Sequence, residues 1–400
     1  MKAKSVRLAL FIALFLAPRS IAQIGGTGAD GIFQPTSDIT LDTTPRPGGW
    51  NFSSITIPAG VTVRVVGTNP AILRSQGAVL VAGHLNADGF PPDATTGTGG
   101  AGGPGGFAGG NVGASGAGPA GGPGGSYSPF GISSGTPGGH ATPGYVYLGS
   151  PTGTYGSDWV FDMRGGSGQG GGTWPLSYGY PWGSGGAGGG GVLVVLSDAT
   201  IDVTGLVTSR GSHTTNISGL GAGGSIMLRA INALTVGSIG LIDAAGGRHP
   251  LGITYSGDGF IRLDGYGDAP AVAPSATITP TPLTLSLPAL RETLPPQTGT
   301  TYTLEVATVP GDTVAFFAST ASANLPLPPL GTLGIDPALA LLLGTSIATN
   351  AEPDPQATLS LALPNDPALV GLSLWLQSIN AATSSPGGPR LSNVVTTQIR

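Results

Sequence analysis

The sequence predicts an all-β protein: a right-handed parallel β-helix that carries a Gly-rich insertion and is followed by a β-sandwich. Three observations predict it. The stretch 186–263 repeats itself, with GAGGGGVLVV at 186–195 lying over GAGGSIMLRA at 221–230. The same offset of 35 relates Gly205 to Gly240, Val207 to Ile242 and Gly211 to Gly246, and a further step takes Gly224, Ile226 and Leu228 onto Gly259, Ile261 and Leu263. Such a repeat argues for stacked equivalent units, each burying its apolar face against the next. Apolar residues elsewhere alternate with a period of two, and no window sustains helical periodicity. Past a Pro-rich passage the composition changes from glycine to leucine, alanine and proline, which marks a second domain.

Residues 1–22 read as a secretory signal: Lys2, Lys4 and Arg7 are basic, Leu8 to Ala17 are apolar, and Ser20-Ile21-Ala22 is a small-residue cleavage pattern. The mature chain is expected to start at Gln23 and to have no transmembrane segment once the signal is removed. Losing Lys2, Lys4, Arg7 and Arg19 from 15 basic residues leaves 11 against 20 acids, a net charge of −9 with no lysine. Nucleic acid is therefore a poor partner, since phosphate neutralisation needs clustered Lys and Arg. The chain has no cysteine, so disulfides and thiolate metal sites are excluded.

The β-helix is placed at 23–268. Ile55-Thr56-Ile57 and Val61 to Val65 read as half-buried strands around the corner Pro58-Ala59-Gly60. AVLVAGHLNADG at 78–89 repeats the later pattern, so Leu85, Val207 and Ile242 should form one inward ladder and Ala87, Ser209 and Ala244 a second. Each unit is expected to use about 20 to 25 residues in three short strands and to send the rest out as a Gly-rich loop.

The insertion spans 90–190, and residues 97–190 of it hold 37 of the 72 glycines. Glycines at 99, 102 and 105 start a triplet that Ala108 breaks, so a collagen helix is not supported. The residues leave two readings open, extended polyglycine or polyproline II (PPII) segments packed on the β-helix, or disorder. A stretch this rich in aromatics is expected to be ordered at least over 145–182. A Pro-rich linker is placed at 269–284 and the β-sandwich at 285–400, with a short helix expected at Asp336 to Leu343.

The Gly runs that lead into strands, GGGGVLVV, GGSIMLRA and GDGFIRLD, resemble those of bacterial secreted Gly-rich β-helix proteins. The tail, with PGDTVAFFAS, LGIDPALALLLG and ALPNDPALVGLSLWLQS, is similar to a C-terminal β-sandwich module of exported bacterial repeat proteins. This resemblance implies an architecture and brings no catalytic motif with it.

The chemistry-bearing residues are sparse. A β-helix polysaccharide lyase or hydrolase needs carboxylates aligned on neighbouring units. In the repeat register Asp243 instead lies over Thr208 and Asn86, and Asp88 over Arg210 and Ala245. Asp258, Arg262 and Asp264 cluster in the last unit, as a polar site or as a solvated strand face, and Asp158, Asp162 and Arg164 cluster in the insertion. The four histidines, His84, His140, His213 and His249, sit at unit ends or in loops. No cofactor and no metal is expected. Trp159 and the run Trp174, Tyr178, Tyr180 and Trp182 are the candidate carbohydrate-binding residues, because flat rings flanked by small residues suit stacking on sugars. The bland reading, that these rings form the insertion's own small core because glycine buries nothing, is the favoured one. The expected role is a secreted structural or adhesive protein of the cell surface or matrix, meeting polysaccharide or cell-envelope components. Carbohydrate binding through 145–182 is the alternative, and a polysaccharide lyase or hydrolase the less favoured one.

Overall fold

The computed structural model describes residues 24–125, 135–146, 151–157, 159, 161, 163–173, 183–212, 220–248, 254–349, 354–381 and 388–400. The expected signal segment lies outside them. The chain is all-β, and its N-terminal two thirds form a large, strongly curled parallel sheet system.

Strands β1 (Gly31–Phe33), β2 (Ile39–Asp42), β3 (Trp50–Ile57), β4 (Thr62–Val66), β5 (Ala71–Ser75), β6 (Val79–Val81) and β7 (His84–Asn86) precede the insertion, which contributes β8 (Tyr145–Val146). After it come β9 (Val192–Ser197), β10 (Thr200–Val203) and β11 (Leu206–Thr208), then β12 (Ser225–Ala230), β13 (Ala233–Val236) and β14 (Leu241–Asp243). Strand β15 (Thr254–Tyr255) pairs antiparallel with β8, and β16 (Phe260–Tyr266), β17 (Ala271–Val272), β18 (Thr277–Thr279) and β19 (Leu283–Leu287) complete this region. One sheet has the order β17-β13-β10-β6-β3-β5-β9-β12-β16-β19 with β1 on β3, and the other runs β18-β14-β11-β7-β4-β2. Strand β3 joins two ladders, because Trp50 pairs with Leu73 of β5 while Ile55 pairs with Val79 of β6.

The expected inward ladder exists: Val63, Leu85, Val207 and Ile242 are paired in series and each is at most 1% exposed. Ala87, Ser209 and Ala244 are buried two positions on. Val63 pairs with Leu85, 22 residues away, so a unit without a loop has the expected length. Strands β9 and β12 are buried at all six positions, as parallel strands covered on both faces must be. Leu193, Val195, Ile226 and Leu228 face the inner core, whereas Val192, Val194, Leu196 and Met227 pack outward against Leu285, Ala307 and Val309.

Two expectations are corrected. The offset of 35 is not constant: Leu193 pairs with Ile226 and Ile201 with Leu234, an offset of 33, 35 holds for Leu206 paired with Leu241 and for Ile226 paired with Ile261, and Thr235 paired with Ala271 and Leu241 paired with Thr277 are offset by 36. The corner after β10 has two residues, Thr204 and Gly205, and the one after β13 has four, 237–240. A slip of two residues leaves every side chain on its face, so the apolar pattern hides it. The Pro-rich stretch 269–284 is not a bare linker either. It holds β17 and β18, which pair with β13 and β14, and the start of β19, which pairs with β16. Its prolines, at 270, 274, 280 and 282, fall outside these strands, where a missing N–H costs no ladder bond.

The described part of the insertion is a bundle of extended glycine segments, the first of the two readings. Gly166, Gln169 and Gly172 donate backbone N–H groups to the carbonyls of Gly190, Ala187 and Ser184 at 2.9, 3.0 and 2.8 Å. Gly122 and Gly125 donate to Gly168 and Gly171, and Phe107 and Gly110 donate to Gly166 and Gln169. A spacing of three is the PPII turn, which has no internal hydrogen bonds and so turns successive peptide groups toward different neighbours. The loops of the later units join in, since Gly190 donates to Ala222, Ser212 to Gly188, Gly247 to Gly221 and Gly257 to Gly138. Glycine is required for contact reasons: a Cβ on Gly168, Gly189 or Gly221 would lie 2.0, 1.9 and 1.9 Å from a neighbouring carbonyl oxygen.

His140 is locked in this bundle. Its Nδ1 lies 2.8 Å from the Gly223 carbonyl, and its ring sits 4.6 Å from Tyr155 and 5.0 Å, edge-on, from Phe260. Burial lowers its pKa from 6.5 to about 4, against the opposing pull of the Gly223 carbonyl. The unfolded chain therefore binds the extra proton first, and this stability is full above pH 6.5 and lost as pH falls toward 4. The loss should reach about 3 kcal/mol. Thermal melts between pH 7 and pH 4.5 should show it, with a shallower slope for His140→Phe.

The C-terminal region contributes β20 (Ala289–Glu292), β21 (Thr301–Ala307), β22 (Thr313–Ser319), β23 (Ser322–Leu327), β24 (Gly331–Ile335), β25 (Leu341–Ile347), β26 (Gln356–Ala362), β27 (Ser373–Ala381), β28 (Arg390–Leu391) and β29 (Val395–Gln398). All pair antiparallel, as β20-β21-β26, as β25-β22-β27-β28 with β29 on β27, and as β23-β24. Leu304 and Val306 of the first sheet share a buried cluster with Val314, Phe316 and Leu376 of the second. The helix expected at Asp336 to Leu343 does not form. Asp336 does cap one turn, accepting the Ala338 N–H at 2.8 Å, but the chain from Leu341 pairs with β22 instead.

Asp312, immediately before β22, accepts from Thr308 Oγ1 at 2.6 Å and Asn380 Nδ2 at 2.7 Å. Burial nevertheless raises its pKa to about 6. Its contribution is full below the unfolded value near 4 and lost as pH rises through 6, opposite in sense to His140. Asp312→Asn should accordingly stabilise the protein by ~1–3 kcal/mol at pH 8 and little at pH 4.5, read from melts at the two pH values.

Candidate functional site

The polar cluster of the last unit divides. Asp258 accepts from exposed Arg248 at 3.2 Å, whereas Arg262 and Asp264 are fully buried, which overturns the solvated-face reading. Arg262 Nε donates to Asp264 Oδ1 at 2.9 Å and its Nη1 to Asp354 Oδ2 at 2.9 Å. From the neighbouring β12, Arg229 Nη2 donates to Asp264 Oδ2 at 2.6 Å and to Asp354 Oδ1 at 3.1 Å. Arg262 also donates to the Trp159 carbonyl, and the Phe161 N–H donates to Asp354 Oδ2 at 3.1 Å. Burial disfavours the Arg262 charge, but Asp264 and Asp354 outweigh it and its pKa is raised. Burial likewise pushes Asp354 up, and Arg262 and Arg229 outweigh that and hold it below the usual carboxylate value. Two buried arginines and two buried aspartates thus neutralise one another and join the parallel sheets, the insertion and the C-terminal strands. Arg229 and Asp354 were missed in the sequence, although an arginine inside the apolar run SIMLRA signals a buried partner.

The outer face of β4, β7, β11 and β14 carries the other charged row. Arg64, Asn86, Thr208 and Asp243 follow one another across the strands, so no two carboxylates are adjacent, as the register implies. Asp243 accepts from Arg210 Nε at 2.7 Å, His84 Nε2 lies 2.9 Å from Thr208 Oγ1, and the Arg64 guanidinium sits 4.3 Å over the Phe90 ring. Burial lowers the His84 pKa. His213 and His249 lie outside the described residues, as do Asp158 and Asp162. Among the described residues no group of three His, Cys, Asp or Glu could hold a metal ion.

Of the candidate sugar-binding rings, Trp159 is half-buried against the cluster that includes Phe161 and Ala307, with the Arg291 guanidinium 4.8 Å over its ring. That ring is packed between regions of the chain. Trp174, Tyr178, Tyr180 and Trp182 lie outside the described residues, but their flanks are placed. Gly172 and Ser184 bridge each other, and Thr173 Oγ1 donates to the Gly125 carbonyl at 3.3 Å. Fully buried Gln169 donates its Nε2 to the Gly135 carbonyl at 3.2 Å and accepts the Leu220 N–H at 2.6 Å. The chain therefore leaves and re-enters the described bundle for segments 126–134, 174–182 and 213–219 within one neighbourhood around 169–173.

No known protein family, curated protein or solved structure matches the sequence. Among the described residues no helix is long and apolar enough to cross a membrane.

Proposed function

We propose that the protein is an exported structural or adhesive protein of the cell surface or matrix, wound as a right-handed parallel β-helix with a C-terminal β-sandwich as docking module. The right-handed sense follows from the general rule for parallel crossovers. The observation that carries the reading is the glycine bundle. It is tied by backbone hydrogen bonds and leaves no room for a Cβ at its contacting glycines, so it serves as a rigid mount and offers little chemistry of its own. The described residues on either side of the aromatic run 174–182 are fixed in it, Gly172 bridging Ser184 and Thr173 bonded to Gly125, and the aromatic composition of that run favours carbohydrate as the second reading. Affinity electrophoresis of residues 23–400 through gels containing single polysaccharides tests both. Retardation without clearing of the polymer supports adhesion to glycan, cleared zones support a lyase or hydrolase, and free migration in every gel leaves adhesion through protein contacts.

A further inference from the structure

We infer that Tyr145, Tyr255 and Arg248 form a stacking platform for the sugar rings of a neutral polysaccharide. The inference rests on the adhesive reading above and gives it a site within the described residues. Tyr145 pairs with Tyr255 across β8 and β15, and Arg248 bridges Tyr255 from the other side, both antiparallel. Residues directly opposite in antiparallel pairs point to the same face, with Cβ atoms about 5 Å apart. The three side chains therefore stand in one row.

The row is open and pre-set. Tyr145 is 37% and Tyr255 42% exposed, and they are the two exposed aromatic residues among those described. Their rings stack at 5.2 Å between centroids and 20° between planes, which fixes both on a common slant. Arg248, with a side chain 63% exposed, is held by Asp258. Asp258 is itself tied to the bundle, since Oδ1 accepts the Gly246 N–H at 3.0 Å, its N–H donates to Thr142 Oγ1 at 2.8 Å, and its carbonyl accepts the Ala141 N–H at 2.9 Å. Two amphipathic rings beside a guanidinium donor and a carboxylate acceptor match a pyranose, whose apolar CH face stacks while its rim hydroxyls donate and accept. The acidic balance of the chain opposes a polyanion, so the ligand is a neutral chain.

Structural stacking of β8 on β15 would need the same two tyrosines, so the test separates packing from a flat face. Tyr145→Leu and Tyr255→Leu keep an apolar cross-strand contact and remove the ring. Residues 23–400, wild type and variants, are run through gels containing a soluble neutral β-glucan, a galactomannan or a polyuronate, and melted in parallel. The expected result is retardation by a neutral polymer that weakens about tenfold in each leucine variant at unchanged melting temperature, with Tyr255→Phe close to wild type. Leucine variants that bind as wild type overturn the platform, and if Trp174→Ala abolishes binding at the same time, the wider reading survives without it. Preference for the polyuronate overturns the neutral class, and a wild type that binds none of the polymers overturns the platform outright.

Discussion

Gly168→Ala is expected to collapse the glycine bundle. The new methyl would stand 2.0 Å from the Ala108 carbonyl oxygen and 2.7 Å from the Gly109 nitrogen, both backbone atoms with no rotamer to yield. Relief requires the segments around Gly168 and Ala108 to separate, which breaks the bonds from Phe107 to Gly166 and from Gly110 to Gln169. Overpacking and two lost hydrogen bonds together cost about 3–5 kcal/mol. The predicted readout is a lowered melting temperature with early proteolysis inside 97–190. Gly153→Ala is the control, because nothing lies within 4 Å of its Cβ position. Its effect should stay within about 0.5 kcal/mol.

Asp354→Ala should loosen the C-terminal strands from the parallel sheets. It would take one of the two described carboxylates, Asp264 and Asp354, away from Arg229 and Arg262, both at most 1% exposed. Removing one member of a buried ion network costs about 3–5 kcal/mol, because the buried charges that remain are less fully compensated. Accelerated proteolytic release of the C-terminal region, with the sheet signature in circular dichroism retained, would show that Asp354 acts as the tie. Because the folded pKa of Asp354 lies below 3.8, its contribution is present above that value and is lost only as pH falls further. The variant's deficit should therefore be the same at pH 5 and pH 8.

The inward ladder was legible because Leu85, Val207 and Ile242 recur at matching places among glycines, and burial on one face enforces period two. The short corner Thr204-Gly205 was not, since a two-residue slip leaves that pattern intact. The helix misread at Asp336 came from a genuine cap signal that governs a single turn, after which pairing with β22 decided the conformation. The bundle's neighbours were unreadable for a deeper reason. Glycine has no side chain to carry a periodic signal, and the contacts are made by backbone carbonyls. The charge network and the tyrosine pair join residues far apart in sequence, Arg229 to Asp354 and Tyr145 to Tyr255, so neither could be found from local spacing.

Amide hydrogen exchange, followed by mass spectrometry over peptides covering 164–173 and 184–191, tests the account most directly. If the glycine segments form a hydrogen-bonded mount, the amides of Gly166, Gly168, Gln169 and Gly189 should be protected to a degree comparable with those of β9 and β12. Exchange of these glycine amides at the rate of an unstructured chain, while β9 and β12 stay protected, would contradict it.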